Sequence, residues 1–161
     1  MVTVAFAAWA LTVLGGVTLA FSWISHGGMR QERQLQDASV RAGGQYPRTA
    51  DRREQWHGLS STMIFSHGGL ALVGLAAWAA YVIPGQNRAA APISALFLVP
   101  VVALGLTMFQ RWRKDAEGGD VGPEVREAPA DRHLSPTLVY IHGLSALVTV
   151  VLVVAAALIV G

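Results

Sequence analysis

Two histidines, His67 and His142, are the only side chains titrating near neutral pH inside the four long apolar runs of this 161-residue chain. Each opens the same phrase, His-Gly-x-x-Ala-Leu-Val: His67-Gly68-Gly69-Leu70-Ala71-Leu72-Val73 and His142-Gly143-Leu144-Ser145-Ala146-Leu147-Val148. An imidazole can relay a proton, ligate a metal through one nitrogen, or hydrogen-bond at both. Placing such a group in an apolar segment is expensive, so it reads first as functional. Two of them in one repeated frame point to a shared task.

The elements that must carry them are the apolar runs at about 2–25, 59–83, 91–109 and 136–160. At about 1.5 Å per residue, each reaches across the roughly 30 Å of bilayer hydrocarbon. Strands facing lipid would alternate in polarity and need closing into a barrel, and these runs do not alternate. The expected fold is therefore all-α: one polytopic membrane domain, a four-helix bundle of two antiparallel hairpins embedded in a lipid bilayer.

The connections divide unequally. Residues 27–58 are polar throughout, with a helix expected over Met29 to Ala42 that has little apolar face. Pro84-Gly85-Gln86-Asn87-Arg88 reads as a tight turn joining runs two and three. Residues 110–135 are rich in Gly, Pro and acidic residues and read as an irregular loop, with Ser135 capping a fourth helix that starts at Pro136. Each hairpin thus closes on a long loop, and its second helix carries the His-Gly phrase. Leu19 to Trp23 and Thr107 to Trp112 extend the parallel to the odd runs in character, which suggests internal duplication.

Charge sets the orientation. Eleven of the 12 Lys and Arg residues lie in the two long loops, and only Arg88 lies in the short connection. Cytoplasmic loops collect basic residues, so both long loops are expected inside and both termini outside, a multi-pass arrangement in a bacterial plasma membrane. All ten acidic residues share those loops, and no basic stripe with interleaved aromatics is present, which argues against nucleic acid as a partner. The first run lacks a basic leader and exceeds a usual signal core, so it reads as a span and not as a cleaved signal. The sequence has no cysteine, excluding disulfides and thiolate metal ligands from this chain. Trp9, Trp23, Trp56, Trp78 and Trp112 are expected to mark the membrane interfaces as an aromatic belt.

Runs two and four enter from the same side, and the histidines fall about 12 Å and 9 Å from that end. Positions four and seven residues further on share the histidine face, giving Ala71 and Gly74 on one helix and Ala146 and Thr149 on the other. These faces are slim, and Gly68 and Gly143 add clearance beside the imidazoles. A flat macrocycle held between two imidazoles needs such relief, and histidine is an axial ligand of haem iron. The site expected is a six-coordinate haem b with His67 and His142 as its metal ligands. His26 at the end of run one would serve a propionate, a quinone or a metal, or simply end the helix before a glycine. Arg111 and Arg113 would neutralise propionates, or simply follow the basic-inside pattern. His57 and His133 read as interfacial residues.

In helix count and histidine pair the chain resembles four-helix b-type cytochrome membrane subunits, such as the succinate dehydrogenase anchors and the transmembrane ascorbate or quinone cytochromes. That resemblance implies electron transfer between a quinone and a partner protein, as a subunit of a respiratory complex. Two other readings share the same residues. Small residues and imidazoles at helical spacing also serve close helix packing, as in a haem-free accessory or assembly subunit. A small transporter or metal-handling protein is the third, disfavoured because no carboxylate or broken helix lies at mid-membrane.

Overall fold

The computed structural model describes residues 1–41, 59–83, 90–117 and 130–160, and among these every regular element is helical. In chain order the helices are α1 (Val2–Ser25), α2 (Gly28–Arg41), α3 (Ser61–Val82), α4 (Ala90–Glu117) and α5 (Pro136–Val160), with a short 3-10 turn at Ala130–His133 before α5. Four of them, all but α2, are long and apolar enough to cross a membrane. The Pro84 to Arg88 turn, His57 and Trp56 lie outside the described residues, as do Arg48, Arg52, Arg53, Glu124 and Arg126.

Local chemistry explains where the helices stop. α1 ends at His26, and Gly27 follows with φ +88°, a left-handed conformation that glycine adopts without strain. Ser60 begins α3, its hydroxyl accepting from the Met63 amide at 3.3 Å. α4 runs to Glu117, eight residues beyond the end of its apolar run, so the irregular loop expected from Gln110 is shorter than anticipated. Gln110-Arg111-Trp112-Arg113-Lys114 ends the hydrophobicity without breaking the helix, because Gln, Arg and Lys are good helix formers.

α1 packs on α3 and α5, and α4 packs on the same two, with the closest approaches between α3 and α4 and between α1 and α5. Two apolar clusters stack along these helices. One, near the chain termini, gathers Ala5, Trp9, Trp78, Ala91, Leu98, Val153 and Ala156. The other, at the loop end, gathers Trp23, Leu59, Ile64, Trp112, Ala130 and Leu134. Trp9, Trp23, Trp78 and Trp112 are thus interior residues, not an outward belt. Glycine lets them in: a Cβ on Gly74 would meet the Trp9 ring at 2.8 Å, and one on Gly28 would enter the Trp23 ring. The outer faces carry exposed Leu14, Phe21, Leu72, Leu96, Leu106, Leu147 and Leu158, surface suited to lipid.

Candidate functional site

Between the two apolar clusters lies a polar layer. His67 and His142 both stand six residues into their helices, α3 and α5, so equal helical rise brings them to one level. Their ring centroids are 6.3 Å apart with the planes inclined at 74°. Both side chains are only partly accessible. Two helical turns further along, Gly74 and Thr149 are buried, and the Thr149 hydroxyl is 3.0 Å from that of Thr12.

Each imidazole rests on the backbone of a neighbouring helix at a glycine. A Cβ on Gly105 of α4 would stand 3.1 Å from Cε1 of His67, and one on Gly16 of α1 would stand 3.1 Å from Cε1 of His142. Four residues before Gly105, the Val101 carbonyl accepts a hydrogen bond from His67 Nδ1 at 3.0 Å. The Nδ1 of His142, by contrast, is buried without a hydrogen-bond partner among the described residues. The bond to Val101 fixes the His67 tautomer and leaves Nε2 as the lone-pair nitrogen, the arrangement by which ligating histidines are oriented.

The separation suits two nitrogens on opposite sides of one metal ion. Nitrogens about 2 Å from a shared ion, each about 1.1 Å from its ring centre, put the centroids about 6 Å apart. No group of three or more His, Asp or Glu side chains gathers as a metal site among the described residues.

The remaining expected residues sit around this layer or away from it. Gly68 and Gly143 have nothing within 4 Å of where a Cβ would stand, and Gly143 is exposed at the outer surface. His26 does not join the pair. Its Nδ1 donates to the Ser22 carbonyl at 2.7 Å and its ring stacks on His133, centroids 4.6 Å apart and planes within 8°. It stands ten residues, about 15 Å of helix, beyond Gly16 toward the loop end. Arg111 and Arg113 are exposed on the polar extension of α4, six and eight residues past Gly105.

Several site residues were not singled out from sequence. Asp131, 2% exposed, accepts from Trp23 Nε1 at 2.8 Å and from the Leu59 amide at 2.7 Å, tying α1 and the start of α3 to the 3-10 turn. Glu32 of α2 accepts from the Ser61 amide, and Gln31 accepts from the Ala130 amide, closing the same end. Gly16 and Gly105 had a legible signal: each opens Gly-x-Thr-x4-Trp, as Gly16-Thr18-Trp23 and Gly105-Thr107-Trp112. Aligning the odd helices on Trp23 and Trp112 would have exposed it.

No protein-family model matches the chain, and comparisons with curated proteins and with solved structures give no match.

Proposed function

We propose that this chain is a membrane cytochrome that holds one haem b between His67 and His142 and passes electrons at the cytoplasmic side, as a subunit of a respiratory or quinone-linked complex. In this reading the four apolar helices form a bundle of two antiparallel hairpins in a bacterial plasma membrane, with both termini outside. The matched phrases in α3 and α5 support an origin of the two hairpins by duplication.

The observation that carries the proposal is the 6.3 Å separation of two imidazoles at one depth, from two helices that do not pack on each other. A haem bound there would supply a reversible one-electron carrier. The chain's own residues would do the rest. His67 and His142 would hold the iron, with the Val101 carbonyl orienting the His67 ring through Nδ1. Gly68 would leave room for a ring edge. Arg111 and Arg113 would offer positive charge to propionates at the loop end, where His26 and His133 also lie. The apolar clusters above and below the histidine layer would exclude water, and a low-polarity surround is one of the levers that sets a haem potential.

A second reading, a haem-free accessory subunit, draws on the Gly16 and Gly105 contacts, since glycine also allows plain close packing of membrane helices. The two are separated by cofactor content. Protein purified in mild detergent from cells able to make haem should contain one b-type haem per chain when extracted into pyridine. Haem-free protein, unable to take up added haemin, would leave the accessory reading standing.

A further inference from the structure

We infer that Gly16 and Gly105 are positioning residues for the two histidines, each acting on the histidine of the other hairpin, so that neither hairpin builds its half of the site alone. His67 belongs to the first hairpin, α1 with α3, yet it leans on Gly105 and Val101 of α4. His142 belongs to the second, α4 with α5, yet it leans on Gly16 of α1.

The correspondence is detailed. A Cβ on Gly105 would lie 3.1, 3.6 and 4.0 Å from Cε1, Nδ1 and Nε2 of His67, and one on Gly16 would lie 3.1, 3.8 and 3.8 Å from Cε1, Nδ1 and Nε2 of His142. Two residues past each glycine a threonine bonds back to the carbonyl four residues earlier, Thr18 to Leu14 at 2.9 Å and Thr107 to Ala103 at 2.8 Å. Seven residues past each glycine a tryptophan, Trp23 or Trp112, is buried in the loop-end cluster. The even helices match as well: Leu59-Ser60-Ser61-Thr62 and Leu134-Ser135-Pro136-Thr137 stand eight residues before their histidines, with Leu59 and Leu134 both buried.

Residue i of one unit touching j of the other, while j of the first touches i of the second, is the signature of an isologous two-fold interface. The tightest helix pairs, α3 with α4 and α1 with α5, are the ones that cross between hairpins. Each ring meets a bare helix backbone at its Cε1 corner. A methyl at either glycine would push one ring and leave the other in place. Any added methyl at Gly68 or Gly143 meets open space instead.

The inference stands on the placing of the histidines and glycines and extends the haem reading without depending on it. It is tested by a double-mutant cycle on the full-length protein in detergent, read by thermal unfolding, with imidazole resonances of ¹⁵N-histidine-labelled protein as a second readout. Gly105→Ala should lower the midpoint in the wild-type background and lose most of that effect when His67 is already alanine. It should keep the full effect in the His142→Ala background. Gly16→Ala should show the converse pairing, and Gly68→Ala and Gly143→Ala, which meet open space, should not lower the midpoint. In the folded glycine variants only the cognate histidine's resonances should shift. Equal effects of each glycine variant in both histidine backgrounds, or shifts of both imidazoles together, would make the glycines general packing residues and overturn the inference. If the cycle holds but the protein takes up no haem, the positioning role stands and the cytochrome reading falls.

Discussion

The His67 imidazole donates from Nδ1 to the Val101 carbonyl while its ring plane stands 74° from that of His142. One imidazole plane is therefore anchored to α4, and the other stands nearly perpendicular to it; if the pair holds a haem, this sets its signal. Perpendicular axial imidazoles leave the iron d orbitals that lie along the two planes close in energy. The oxidised protein should accordingly give a highly anisotropic low-spin electron paramagnetic resonance signal with one large g value. A rhombic signal of the parallel-plane kind would show that the rings rotate when haem binds.

Orientation rests on the distribution of Arg and Lys, eleven of which lie in the two long loops. A fluorescent reporter that matures only in the cytoplasm should be active when inserted near Arg41 or Glu124 and dark when fused after Gly161. The reverse pattern would invert the molecule and place the histidine layer toward the outside.

Asp131 offers a test of how the loop end is held. Asp131→Ala removes the acceptor for both Trp23 Nε1 and the Leu59 amide, leaving two buried donors unmade. Each such loss is worth about 1–3 kcal/mol, so a destabilisation of about 2–6 kcal/mol is expected, along with a shift in tryptophan emission. Asp131→Asn keeps one carboxamide oxygen as acceptor and should lose less. An Asp131→Ala protein as stable as the parent would show that the 3-10 turn is not a fastener.

The stacked pair at the loop end should be separable from the haem. His133→Ala should leave the visible spectrum unchanged, and His26→Ala should at most shift the reduction potential, because the His26 ring faces His133 and not the His67–His142 layer. Loss of haem from either variant would bring the loop-end histidines into the binding site.

Much of the fold was legible because the signals were long and one-dimensional. Twenty-odd apolar residues bounded by polar loops define a span with little help from tertiary structure, and the depth of His67 and His142 follows from helical rise alone. What sequence concealed was sideways information. Hydropathy cannot distinguish a tryptophan facing lipid from one sunk into a glycine-lined interior, and so the burial of Trp9, Trp23, Trp78 and Trp112 was not foreseen. Gly16 and Gly105 contribute nothing to hydropathy, and their role exists only because α1 and α4 approach the histidines of the opposite hairpin. Asp131 looked like one more loop acid, because its partners are 108 and 72 residues away in sequence.

The most direct measurement is the dithionite-reduced visible spectrum of the purified wild-type protein beside His67→Ala and His142→Ala. The account expects sharp low-spin α and β bands in the wild type. Each variant should lose haem or convert it to a high-spin form that binds carbon monoxide, since each lacks one of only two axial ligands. A wild-type protein without these bands, or variants that retain them unchanged, would contradict the assignment of His67 and His142 as the haem ligands.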